Sequence, residues 1–201
     1  MNQKIIQQGA EAIISLNKDN HILKKRIKKS YRISELDNKI RKSRTKAESK
    51  IMTKLKSIIP VPTIISTDKE NIIMEFINGK KLSDHLEKLD YKEISKQIGQ
   101  NLTLLHNQDI IHGDLTTSNM IYKDNKVYLI DFGLGFHSYK IEDKAVDLHL
   151  LKQALEAKHY QIAKKCINII LKNYKPDKYK LILERIPMIE SRGRYKKKNN
   201  F

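Results

Sequence analysis

The string His112-Gly113-Asp114-Leu115-Thr116-Thr117-Ser118-Asn119, followed twelve residues later by Asp131-Phe132-Gly133, constrains this chain more than any other stretch. It sets an Asp, an Asn five positions on across a loop, and a second Asp at the end of the apolar run Val127-Tyr128-Leu129-Ile130. A fold that carries it must bring a loop and a strand end together at one cleft. The residue types suit phosphoryl transfer. One carboxylate takes the proton of a hydroxyl, while an amide oxygen and a second carboxylate hold Mg²⁺ against nucleotide phosphates. Asp114 is the candidate proton acceptor, Asn119 and Asp131 the candidate metal ligands, and the Phe-Gly after Asp131 permits a sharp turn. His106 and His112 read as packing or loop-bracing histidines.

The elements around the motif are ordered as α+β. Lys4 to Gln8, Ala12 to Leu16 and His21 to Arg26 read as strands, with Asn17-Lys18-Asp19-Asn20 as a turn. Ser34 to Ile59 reads as a helix, with Ile40, Ala47, Ile51, Leu55 and Ile58 on its apolar face, stopped by Pro60 and Pro62. Strands at Thr63–Ser66 and Ile72–Glu75 follow. Past Phe76-Ile77-Asn78-Gly79 the pattern turns helical. Asp90 and Glu93 resemble a capping box ahead of Ile94, Ile98, Leu102 and Leu105. A small β insert covers Met120–Tyr122 and Val127–Ile130. Three helices follow Lys140, broken near Pro176 and closing at Ile189. This predicts a strand-rich lobe (1–77), a helical lobe (78–190) and a basic, unstructured tail (191–201), with a cleft that sets Gly9 and Lys24 opposite Asp114 and Asp131.

Lys24, surrounded by Lys25, Arg26 and Lys28, would alone read as a solvated charge. Its place on the third strand, behind Ile22 and Leu23 and after a glycine turn, makes it the candidate phosphate-binding lysine. Glu48, the one acid between Asp37 and Asp68, is its candidate partner. Gly9-Ala10-Glu11-Ala12 lies where a nucleotide-binding loop would, although a single glycine by itself reads as an ordinary hairpin.

The chain has 201 residues and a formal charge of +17. Between Lys24 and Lys56 stand fourteen Lys and Arg against three acids, Glu35, Asp37 and Glu48. A second basic cluster runs from Arg192 to Lys198. An AT-rich genome raises lysine everywhere but does not cluster it. The clusters fit an acidic partner, RNA foremost, or a solvated basic face. One cysteine, Cys166, excludes an internal disulfide framework and reads as a buried structural thiol. The seven histidines have no partner at zinc-ligand spacing. No apolar run reaches membrane-span length and no signal region precedes Gly9, so the expectation is a cytoplasmic protein.

Together these segments resemble the small atypical Ser/Thr kinases of the KEOPS tRNA-modification complex, relatives of the RIO kinases. The resemblance covers essentially the whole chain. It rests on Gln8-Gly9-Ala10-Glu11-Ala12, Lys24-Lys25-Arg26, Lys29-Ser30-Tyr31-Arg32, Arg44-Thr45 with Glu48, and the His112–Asn119 string. Ile130 to Leu134, Glu142 to Leu148 and Ser191-Arg192-Gly193-Arg194 complete it. The size looks archaeal. Lys28, where relatives often carry proline, is a departure that touches loop stiffness only. The resemblance implies a minimal two-lobed protein-kinase-like fold with ATP and Mg²⁺ as cofactors. It implies a Lys24–Glu48 ion pair, catalytic Asp114, metal-binding Asn119 and Asp131, and nucleotide contacts from the Gly9 loop, Glu75 and Ile77. Kinase activity with a strong ATPase component is implied too. So are partners: the threonylcarbamoyl-transferase subunit, other KEOPS subunits, and tRNA reached through Lys24–Arg32 and Arg192–Lys198. Gly113 replaces the arginine that many protein kinases use to sense a phosphorylated activation loop. Thirteen residues between Gly133 and Asp147, without Ala-Pro-Glu, leave little room for such a loop. Two other readings stay open: an aminoglycoside-type small-molecule phosphotransferase, and a kinase fold that mainly scaffolds tRNA and protein.

Overall fold

The computed structural model describes residues 4–194, with side chains described as far as Arg192. Five antiparallel strands form one sheet: β1 (Lys4–Gln8), β2 (Ala12–Leu16), β3 (His21–Arg26), β4 (Ile64–Thr67) and β5 (Asn71–Glu75), in the spatial order β1-β2-β3-β5-β4. The central strand β3 pairs Lys24 with Ile14 on one side and with Ile72 on the other. Its alternation buries Lys24 and Arg26 and leaves Lys25 exposed, so two cations face inward from one strand.

Helix α1 (Ser34–Leu55) crosses against β4 and β5. Its buried residues are Asp37, Arg41, Thr45, Glu48, Ile51, Met52 and Leu55. The C-terminal half follows the predicted apolar face, but Ala47 is exposed, and the N-terminal half buries a polar stripe. The reason is charge pairing: Arg41 Nε lies 2.7 Å from Asp37 and Arg41 Nη1 2.5 Å from Glu70. A satisfied ion-pair stripe can be buried where an apolar one is absent. The helix ends four residues before the predicted Ile59, in turns that lead to Pro60.

The helical part opens with β6 (Lys80–Lys81), α2 (Leu82–His85) and a 3-10 turn, then α3 (Tyr91–Asn107). Asp90 caps α3, accepting from the N–H groups of Lys92 (3.0 Å) and Glu93 (3.2 Å). Glu93 points to Lys96 and Gln97 instead, so half of the expected capping box forms. Ile94, Ile98, Leu102 and Leu105 are all buried, as the spacing predicts.

Next come β7 (Ile110–Ile111), β8 (Met120–Lys123), β9 (Lys126–Leu129), β10 (Phe136–His137), α4 (Ile141–Lys158), α5 (Ala163–Asn173) and α6 (Tyr179–Arg194). Strands β6, β8 and β9 form one small sheet, and β7 pairs with β10. Helix α5 packs on α3, and α6 on α4. A Cβ at Gly99 would lie 2.5 Å from the Ile170 carbonyl oxygen, so the close α3–α5 approach depends on glycine there. Cys166 is buried on α5, where burial pushes its thiol up and keeps it unreactive.

One expectation is corrected at the C-terminus. Helix α6 does not close at Ile189 but continues through Arg194, past Pro187. Arg192 is therefore helical and lies 2.5 Å from Glu142. The remainder of the predicted tail, including Lys196 to Lys198, lies outside the described residues.

Candidate active site

Strand β3 and helix α1 build the first half of the site. Lys24 Nζ sits 2.6 Å from Glu48 Oε1, and both side chains are almost fully buried. The same ammonium lies 2.7 Å from Asp131 Oδ1. Glu48 accepts a second cation through Oε2, which is 2.6 Å from Arg26 Nη2. A lysine held by two carboxylates is a fixed, oriented charge at the cleft wall.

The second half hangs on the segment between β7 and β8. Gly113 has φ +78°, and a Cβ there would lie 2.4 Å from the Leu134 carbonyl oxygen. No side chain fits, which is why arginine is absent before Asp114. Asn119 donates through Nδ2 to the Asp114 backbone oxygen and to Asp114 Oδ2, both at 2.9 Å. The Asn119 carbonyl oxygen thereby faces away from Asp114. His112 is buried and donates through Nε2 to the Ile130 carbonyl at 3.1 Å. Burial holds its pKa below the ordinary histidine value. It stacks obliquely on the buried Phe132 ring, with centroids 4.6 Å apart. Its role is bracing, as the sequence suggests.

Asp131, two residues past the end of β9, has φ +61°, a left-handed conformation rare outside glycine. Its Oδ1 accepts from both Lys24 and the Gly133 N–H (3.1 Å), which leaves Oδ2 as an open ligand. Burial alone would push this carboxyl up. The Lys24 ammonium and the Gly133 hydrogen bond outweigh it and hold the pKa below the usual carboxylate value. An anionic oxygen on Asp131 and a carbonyl oxygen on Asn119 are hard donors, the type Mg²⁺ takes alongside phosphate oxygens.

One residue that sequence reading passed over anchors the loop. Asp147 of α4 is fully buried. It accepts from the backbone N–H of His112 (2.6 Å) and of Gly113 (2.9 Å), and faces His106 Nε2 at 3.4 Å. His106 Nδ1 in turn meets the Tyr174 hydroxyl at 2.6 Å. Helices α3 and α4 thus fix the loop that carries Asp114. Asp147 falls in the family-matching segment Glu142–Leu148, but its role had no signal in spacing, because a carboxylate that caps a distant backbone has no spacing rule.

The cleft between the two halves is deep and two-ended. Its inner end has a volume of about 620 Å³, with Ile14, Ile22, Met74, Ile77 and Ile130 among its walls and Glu75, Phe76, Asp114, Asn119 and Asp131 around them. Glu75 also ties its carboxylate to the Thr63 N–H (3.1 Å). The outer end, about 240 Å³, lies between Gly9-Ala10-Glu11-Ala12 and the turn residues Asp131 and Gly133, with Lys24, Arg26, Arg44 and Asp114 also lining it. At Gly9 a side chain would fit, since its Cβ would meet only the Ala12 oxygen at 3.6 Å. The loop is held from behind. Glu11 lies 3.0 Å from Arg44 and 3.6 Å from Arg32, and Lys29 donates to the Ala10 carbonyl. Every sequence-predicted site residue therefore lines this cleft or abuts it, although the Glu11 carboxylate is engaged by arginines.

The RIO domain family model matches residues 13–138. The chain is 43% identical to the KEOPS complex subunit Bud32 of Pyrococcus abyssi over 98% of both chains. It is 45% identical to the EKC/KEOPS complex subunit BUD32 of Enterocytozoon bieneusi, across 77% of this chain and 83% of that one. It is also 45% identical to a probable bifunctional tRNA threonylcarbamoyladenosine biosynthesis protein of Methanobrevibacter smithii, covering 95% of this chain but 36% of the larger protein. Among solved structures, the Rio2 kinase–ADP/Mg²⁺–phosphoaspartate complex of Chaetomium thermophilum superposes with a TM-score of 0.62 at 15% identity, over 94% of this chain and 70% of that one. The two-lobed α+β fold is thus kinase-like, and the chain belongs to the RIO-domain family, beside the proteins named as Bud32 subunits of KEOPS.

Proposed function

We propose that this chain is an ATP-dependent RIO-type kinase and ATPase that works as a KEOPS subunit, supporting threonylcarbamoyl-adenosine formation in tRNA. The observation that carries the chemistry is the convergence of Lys24, Glu48, Asp114, Asn119 and Asp131 at one cleft. In this reading the lobe within 1–77 roofs the nucleotide, the lobe within 78–190 carries the catalytic loop, and 191–201 is the basic C-terminal segment. The apolar inner end takes the adenine against Ile14, Ile22 and Met74, with the Glu75–Ile77 backbone along its edge. Lys24 turns its ammonium to the inner phosphates while Glu48 keeps it oriented. Asn119 and Asp131 hold Mg²⁺, which when bound supplies positive charge to the phosphate oxygens. Asp114, fixed by Asn119 and by the Asp147-anchored loop, takes the proton of the attacking hydroxyl or water. The aminoglycoside-type reading gains nothing from the relatives above, whose names point to KEOPS and tRNA modification.

The acceptor is a protein Ser/Thr hydroxyl or water, and we infer that hydrolysis dominates. The cleft opens to solvent beside Asp114, and no long segment between Gly133 and α4 forms a peptide platform. The partners are the threonylcarbamoyl-transferase subunit and other KEOPS subunits, with tRNA as the acidic partner. Burial narrows the basic loop that the sequence suggests to part of its cations and points to a further RNA-facing surface beside it. Within Lys24–Arg32, Lys24 and Arg26 are buried and Lys29 and Arg32 are tied to Ala10, Glu11 and Asp37, which leaves Lys25 and Lys28 as its exposed cations. The solvent face of α1 carries Lys39, Lys42, Lys46, Lys50 and Lys54, all exposed. Its one acid beyond Asp37, Glu48, points inward. That lysine stripe, with Lys25 and Lys28, is the phosphate-contacting surface in this reading, and any tail contact falls to Lys196–Lys198 rather than to Arg192, which Glu142 engages.

The test is reconstitution with the transferase subunit and a tRNA substrate. Wild-type chain is expected to turn over ATP and support modification. Asp114→Asn is expected to do neither while still joining the complex. Full modification by Asp114→Asn would reduce the chain to a scaffold.

A further inference from the structure

Strand β3 brings two cations to the cleft, and the reading above uses one. Lys24 and Arg26 stand two residues apart, so the pleat turns both inward. Arg26 is 4% exposed. Among the described residues, Glu48 is the one acceptor its guanidinium reaches, through Nη2, and its Nε is buried without any partner. A guanidinium has five donors in a planar fork, so this group is far from satisfied. Burying it that way is costly unless a ligand completes it.

Its neighbours say where such a ligand sits. A Cβ built on Gly133 would be 3.4 Å from both Arg26 Nη2 and Lys24 Nζ, so the turn after Asp131 lies directly on the cation pair. Arg26 lines the outer end of the cleft together with Asp114 and Asp131, and Arg44 lines it too, beside Glu11. Lys24 and Arg26 are balanced here by Glu48 and Asp131. With Asp131 Oδ2 turned to a metal ion and Oδ1 still on Lys24, the charge of Asp131 is shared with the metal, and metal plus cation pair leave a positive surplus at the outer end. A fork of N–H donors carrying that surplus matches phosphate oxygens two at a time.

We propose that Arg26 grips the terminal phosphate of ATP and stabilises the charge on the phosphoryl group as it transfers, a catalytic role separate from that of Lys24 at the inner phosphates. This rests on the ATP reading above. In the step, the bond from the γ-phosphorus to the β–γ bridging oxygen breaks and its electron pair stays on ADP. The new bond forms to the oxygen of water or a hydroxyl, whose proton passes to Asp114. Arg26 exchanges no proton; it holds the equatorial oxygens throughout.

The experiment compares Mg²⁺-dependent binding of ADP and of the non-hydrolysable ATP analogue AMP-PNP to the full chain by calorimetry, in wild type, Arg26→Lys and Arg26→Gln. Arg26→Lys keeps a cation against Glu48, so it guards against a variant that fails to fold. The expected result is AMP-PNP affinity lowered about tenfold or more with ADP affinity within about twofold, and ATP turnover at saturation lowered by roughly 10²–10³-fold. A merely structural arginine would weaken both nucleotides alike. An unchanged AMP-PNP to ADP affinity ratio in both variants would overturn the proposal, whereas failure of wild type to bind either nucleotide would overturn the ATP reading itself.

Discussion

Asp147→Asn isolates the anchoring of the catalytic loop, because it preserves shape and removes one acceptor. In the native protein both carboxylate oxygens are used: Oδ2 by the His112 N–H at 2.6 Å, Oδ1 by the Gly113 N–H at 2.9 Å. An amide keeps one oxygen and sets an NH₂ against the other backbone donor. A hydrogen bond to a charged acceptor is worth about 1.5–3 kcal/mol, and a buried donor left unpaired falls in a similar range. The Asp147 carboxylate and His112 are fully buried, so water does not substitute at the His112 N–H. The expected loss is about 2–3 kcal/mol, which for a chain of this size lowers Tm by roughly 4–12 °C. The functional effect is larger than the stability effect suggests. Freed from Asp147, the loop carrying Asp114 and Asn119 loses its fixed position, while Lys24 and the apolar end of the cleft are untouched. Turnover at saturating ATP is expected to fall about 10²-fold with KM for ATP within about threefold. Thermal unfolding and steady-state ATP hydrolysis on the same preparations check both parts. A variant with wild-type Tm and turnover would refute the anchoring account, and a proportional loss of ATP affinity would refute its restriction to the loop.

Gly113→Ala meets both a left-handed φ and the Leu134 carbonyl at 2.4 Å; it is expected to destabilise by about 2–3 kcal/mol in urea titrations and to lower turnover. Glu48→Gln leaves two buried cations without their shared counter-charge, and chemical denaturation should show a loss of about 3–5 kcal/mol. His112 is held below its usual value of 6.5 by burial. The unfolded chain binds its proton more readily, so its contribution is complete above about pH 6.5 and is lost as pH falls below that. Urea midpoints measured from pH 8 to pH 5 should decline, and His112→Gln should flatten the decline. Replacing Lys42, Lys46 and Lys50 with glutamate is expected to weaken tRNA binding by the assembled complex. The log–log salt slope should become shallower by about 0.7–0.9 for each phosphate that the variant no longer neutralises.

How much of the fold and the site was legible in the sequence depended on how local the signal was. The Asp114–Asn119–Asp131 spacing reads directly, because loop and strand end are adjacent in chain and in space. The five strands read from alternation and turn residues, and the α3 face from its 3.6-residue period. The N-terminal half of α1 did not read, since it buries Asp37, Arg41, Thr45 and Glu48, and hydrophobic periodicity is silent about a buried ionic stripe. The pairing of β7 with β10 escaped as well, because two-residue strands carry no period. Asp147 and Arg26 were visible as residues but not as parts of the site. Each acts through a partner more than twenty residues away, a relation that folding creates and spacing does not encode.

The central claim is a Mg²⁺-dependent nucleotide site closed by Asp131 and Asn119, and magnesium-linked ATP binding tests it most directly. Calorimetric titration of the full chain with ATP, with and without Mg²⁺, should show wild-type affinity rising about tenfold or more when the metal is present. Asp131→Asn should bind ATP with little or no such gain. Equal gains in the variant and the wild type would contradict the account.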